Sequence, residues 1–115
     1  MMMTKLPDIV FHEADAKFSQ EEWGELRFYF EGPTDLLKAM TAGSARVNPS
    51  ATPHPPHRHE EEEFMVVTEG HGEIELEGKT VPVGPGSMMY CAAWKWHGIV
   101  NTGKEPLLFY FYKWL

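Results

Sequence analysis

Cysteine is almost missing from this chain: Cys91 stands alone among 115 residues. No internal disulfide can form, and nothing calls for an oxidising compartment. Basic residues are scarce as well, ten Lys and Arg against seventeen Asp and Glu, for a formal net charge of −7. Sequence-independent binding to nucleic acid or to an anionic membrane surface needs basic patches, so no nucleic-acid and no membrane partner is expected. A helix-turn-helix segment and a basic stripe are also lacking, which argues against a transcription factor. No apolar run approaches the roughly 20 residues of a membrane helix. The opening Met1-Met2-Met3-Thr4-Lys5-Leu6-Pro7-Asp8 lacks the apolar run of a secretory signal. The expected location is the cytoplasm. Internal repeats and low-complexity tracts are absent.

What the chain does have is punctuation. Nine prolines and ten glycines favour short strands and turns over long helices. One domain over residues 1–115 is expected, long enough for a core. Residues 8–12 read as a short opening strand, and Ser19 with Glu21 and Glu22 as the cap of one helical turn. Strands are predicted over 26–31, 36–40 (the most ambiguous), 44–48, 63–68, 73–77, 80–83, 87–92, 97–101 and 107–114. Turns are expected at Gly70–Gly72, Gly78-Lys79 and Gly84-Pro85-Gly86. Pro53-His54-Pro55-Pro56 reads as a stiff extended arm that delivers His57. Many short strands at close spacing mean an all-β sandwich or barrel.

Two constellations carry the chemistry: His57-Arg58-His59 with Glu63 and Gly70, and His97 with Asn101. Imidazole and carboxylate suit borderline divalent metals. In an extended segment alternate residues share a face, so His57, His59 and Glu63 can point inward from one strand while Arg58 points out. His97 is available from a neighbouring strand as a fourth ligand. Three imidazoles and one carboxylate leave two positions open on a six-coordinate ion for water, oxygen or a chelating substrate.

This pattern resembles the cupin superfamily. Its first motif is Gly, five residues, His-x-His, three or four residues, Glu, six residues, Gly; here His57, His59, Glu63 and Gly70 match, with Ala51 at the leading Gly. Its second is Gly, five residues, Pro-x-Gly-x-x-His, three residues, Asn; Gly86, His97 and Asn101 match, with Ala92 and Trp94 at the Pro and second Gly. The resemblance spans roughly residues 44–112, with N-terminal strands and arm over 1–43. It implies a small single-domain double-stranded β-helix, or jelly-roll barrel, with His57, His59, Glu63 and His97 as metal ligands. Fe or Mn is the favoured ion for such a set; Ni, Co, Zn or Cu would also bind.

The function expected is that of a metal-dependent enzyme, dioxygenase-like, acting on a small organic substrate chelated to the metal. Isomerase, lyase or decarboxylase chemistry is the enzyme alternative, and a binding or sensor module the non-catalytic one. No residue is singled out as a catalytic acid or base. Glu60, Glu61 and Glu62 read as a solvated acidic turn, with Glu61 the alternative second base. His54 and His71 read as exposed loop histidines. Cys91 reads as a buried inert thiol without an activating partner. Arg46 is either a clamp for a substrate carboxylate or a surface residue. Asn101 reads as a structural hydrogen-bonding residue. Trp94 and Trp96 either cover the pocket mouth or fill a dimer interface. The run from Leu107 to Tyr112 is apolar on both faces, so its outer face suggests a homodimer.

Overall fold

The computed structural model describes residues 4–115, and the sequence's punctuation becomes nine strands. These are β1 (Lys17–Glu21), β2 (Gly24–Gly32), β3 (Met40–Val47), β4 (Glu62–Glu69), β5 (Gly72–Leu76), β6 (Lys79–Val83), β7 (Met88–Cys91), β8 (His97–Val100) and β9 (Leu107–Trp114). One 3₁₀ turn, Glu13–Asp15, precedes them. Among the described residues no helix is long and apolar enough to cross a membrane.

Strict alternation decides which way each strand faces. In β9, Leu107, Phe109 and Phe111 are buried while Tyr112 is exposed. Their inward partners are Ala45 and Val47 of β3 and Met65 and Val67 of β4. All pairings are antiparallel, giving a six-stranded sheet in the order β1-β2-β3-β9-β4-β7 and a three-stranded sheet β6-β5-β8. Ile74 and Ile99 of the small sheet join the same buried cluster as the large sheet's inner face, so the core lies between the sheets. This is a jelly-roll barrel. Pro82 sits in β6, an edge strand, where its missing N–H costs no ladder bond.

Several local expectations are corrected. Residues 8–12 form no strand, and Ser19 lies inside β1, where its hydroxyl donates to Glu21 Oε1 at 2.9 Å instead of capping a helix. Of 36–40 only Met40 is strand: Leu36 is 94% exposed, and the Thr34 hydroxyl accepts from the amides of Leu36 and Leu37, holding a turn. The β5–β6 hairpin turns on Glu77-Gly78, one residue earlier than read. Both have positive φ (+49° and +81°), the type I′ geometry that matches strand twist.

Candidate metal centre

His57, His59 and Glu63 do not come from one strand, as their shared parity suggested. β4 begins only at Glu62, and the chain bends at Glu60 and Glu61. His57 is instead held by a two-bond bridge to His97: each backbone N–H donates to the other's carbonyl at 2.9 Å. His59 is anchored by its carbonyl, which accepts from the Trp94 amide at 2.8 Å. Trp94, at the position the motif gives to glycine, adopts φ +64°, so it keeps the left-handed path despite its side chain. Ligand nitrogens of His57, His59 and His97 lie within 4.8 Å of one another. Glu63 Oε1 is 2.9 Å from His59 Nε2 and 3.3 Å from His97 Nε2. The structure therefore brings all four sequence-predicted residues together, by a bend and a bridge rather than by strand parity alone. Arg58 points away, its guanidinium 5.0 Å from the Trp96 ring centre.

Backbone carbonyls set the tautomers. His59 Nδ1 lies 3.0 Å from the Glu61 carbonyl and His97 Nδ1 3.1 Å from that of Lys95, so each Nδ1–H donates outward. Both Nε2 atoms then turn lone pairs towards the Glu63 carboxylate. His97 Nε2 is buried and has no hydrogen-bond partner among the described residues. Acceptors this close need a proton or a metal cation between them, and the donor set fits a divalent transition metal.

Electrostatics favour the metal-binding forms of His57 and Glu63, whereas His97 is drawn towards a proton that a metal would displace. Burial, reinforced by neighbouring His54, His97 and His59, lowers the His57 pKa to about 4, which keeps its imidazole neutral. Burial would raise Glu63, but His97 and His59 outweigh it and hold the carboxyl below its usual range. Burial would lower His97, yet Glu63 and the Lys95 carbonyl draw it upward. The cluster opens into a cavity of about 340 Å³. Trp23, Leu26, Phe28, Met65, Phe109 and Phe111 form its apolar wall.

Other candidates divide. Asn101, fully buried, donates to the carbonyls of Val47 (2.9 Å) and Glu105 (2.8 Å) and accepts from Gly103 N–H (2.9 Å), the structural role expected. Glu61 is not a purely solvated residue: its carboxylate lies 3.6 Å from His59 Nδ1 and 3.9 Å from Lys113 Nζ. His54 is half-buried and stacks on His57 with ring centres 3.7 Å apart, rather than standing free; His71 is exposed. Arg46 pairs with Glu69 at 3.3 Å and does not line the cavity, which removes the clamp reading. Cys91 does have a partner, His97 Nδ1 at 3.3 Å from Sγ, but burial raises its pKa and keeps it a thiol. Trp94 and Trp96 are exposed beside the site without lining the cavity. Lys113, which does line it, was not anticipated, although the alternation of β9 carried the signal.

A jelly roll whose interior cavity is lined by histidines and a carboxylate, a set that could hold a metal ion, defines the class. The chain belongs to the cupin-domain family: the Cupin_2 family model matches residues 43–112. Among curated proteins it is similar to a 5-nitrosalicylic acid 1,2-dioxygenase from Bradyrhizobium sp, 37% identical over 54 residues. That match takes in 47% of this chain and only 26% of the dioxygenase's length. Among solved structures it is similar to KdgF from Halomonas sp. (20% identity, 93% of this chain and 94% of that one, TM-score 0.77). An RmlC-like cupin from Shewanella frigidimarina NCIMB 400 is also similar (13% identity, 97% and 94%, TM-score 0.75). These two likenesses bear on fold alone.

Proposed function

We propose that this chain is a cytoplasmic, metal-dependent oxidoreductase of dioxygenase type, acting on a small organic substrate held against the metal. The observation that carries this reading is the buried, unpartnered His97 Nε2, facing Glu63 beside two further imidazoles. His57, His59, Glu63 and His97 would hold the ion, Fe or Mn in preference to Ni, Co, Zn or Cu. Bound iron supplies Lewis acidity and the redox chemistry that oxygen insertion requires. The chain's own contribution is positional. The Glu61 and Lys95 carbonyls fix the imidazole tautomers, and the aromatic wall excludes water and packs a planar substrate. The partial similarity to a dioxygenase of a hydroxylated aromatic acid supports the same reaction class. A homodimer is part of the proposal, because Phe64, Tyr90 and Tyr112 are exposed on the outer face of the large sheet.

Oxygen consumption by the Fe(II)-loaded protein, measured against 5-nitrosalicylate, related hydroxy acids, diols and β-diketones, tests the reading. Uptake coupled to substrate loss is expected, abolished in His57→Ala. Turnover without oxygen uptake would replace it with isomerase, lyase or decarboxylase chemistry. Binding without turnover would replace it with a sensor.

A further inference from the structure

Among the described residues one lysine, Lys113, lines the cavity from outside the ligand set. Along β9, Leu107, Phe109 and Phe111 point into the core, and Lys113 continues the same parity. It sits directly across from Glu63 on β4 and from Thr41 on β3. Directly opposed residues on one face are close neighbours, so the lysine stem rises beside the imidazole cluster. Its side chain is 29% exposed, and its nearest anionic partner, Glu61 Oε2, is 3.9 Å away, beyond hydrogen-bond reach. Lys113 lines the cavity, and its one ion pair among the described residues is long, which leaves its ammonium donors open to an anionic ligand.

The remaining walls describe that ligand. Trp23, Leu26 and Phe28 give the same cavity an aromatic and aliphatic surface beside the histidine–carboxylate cluster. Glu21 also lines the cavity and disfavours a second negative group. Glu21, Trp23, Leu26, Phe28 and Lys113 all lie outside the family-matched segment 43–112, so this selecting wall is built by β1, β2, the turn between them and the end of β9.

We propose that Lys113 is a specificity-determining residue that selects monoanionic carboxylates carried on a small apolar or aromatic body. The carboxylate lies between the ammonium and the imidazole cluster. This rests on the function proposed above for its catalytic meaning, but the contact itself requires no metal.

Benzoate and its neutral isostere benzamide are the probes, titrated calorimetrically into metal-free and Mn(II)-loaded protein. Wild type is expected to favour benzoate in both forms. Lys113→Met is expected to lower benzoate affinity about tenfold while leaving benzamide affinity unchanged. Lys113→Arg keeps most of the preference. Lys113→Gln repeats the comparison should the Met variant fail to fold. A purely structural counter-ion to Glu61 would shift melting temperature or metal content and leave the benzoate-to-benzamide ratio intact. An intact ratio in the Met and Gln variants, or no preference in wild type, overturns the proposal. Failure to load metal would overturn the proposed function instead, and the metal-free titrations would still decide the role of Lys113.

Discussion

At Asn101 three hydrogen bonds converge where water has no access, tying the end of β3 to the 101–105 turn. Asn101→Ala strands two carbonyls and one amide. It should cost about 2–4 kcal/mol by chemical denaturation, and a loss below about 1 kcal/mol would contradict this structural role. His57 makes a second residue-scale prediction. Its folded pKa of about 4 lies below the roughly 6.5 of the unfolded chain, so the unfolded state takes up the proton first. The contribution is fully present above pH 6.5 and is lost as pH falls towards 4. Metal-free wild type should therefore lose more melting temperature between pH 7 and pH 4.5 than metal-free His57→Asn; equal losses would count against the assigned cause. Asn101 and the ligand residues were legible in the sequence because their spacing matches the cupin motifs, although the bend and bridge that bring them together were not. Lys113 was missed although β9 was read to residue 114: a cation at the end of an aromatic run looks like a solvated terminus until its partners across the sheet are known. His54 was misread for the same reason, since its stacking on His57 depends on a bend that no periodicity records.

At the scale of elements, the strands with strict alternation or a dense apolar run were readable. β9 runs from Leu107 to Trp114 as expected, and β5 keeps its alternating face. Short apolar runs without a buried partner were not readable, as Leu36 illustrates, because hydrophobicity alone does not say whether another layer will cover it. Turns carry their own test. Gly70 and Gly86 both have positive φ (+81° and +92°), but their surroundings differ. A Cβ on Gly70 would collide with the Pro106 carbonyl, whereas a Cβ on Gly86 meets nothing within 4 Å. Gly86→Ala should cost about 1 kcal/mol, the price of the left-handed backbone alone. Gly70→Ala should cost clearly more, about 2–4 kcal/mol, because backbone must also move. Equal destabilisation in the two variants would show that steric approach at Gly70 contributes nothing.

Across the whole molecule, two sheets enclose one core, and the histidine–carboxylate cluster sits where the 53–61 segment and β8 meet through the His57–His97 bridge. The outer face of the large sheet exposes Met88 and Tyr90 of β7 beside Phe64 and Tyr112. If a second copy covers it, light scattering will give twice 13.2 kDa, and Tyr90→Glu with Phe64→Glu will return the mass to that of the single chain. A single-chain mass for the wild type at micromolar concentration would contradict the dimer. Every catalytic statement nevertheless depends on a cation lying among His57, His59, Glu63 and His97. The most direct measurement is the metal content of protein expressed in iron- and manganese-supplemented medium, alongside His97→Ala and Glu63→Gln. The expected result is bound Fe or Mn stoichiometric with the chain, lost in His97→Ala and sharply reduced in Glu63→Gln. Metal-free wild-type protein that refuses Fe(II) and Mn(II) on reconstitution, or metal retained undiminished by both variants, would contradict the account.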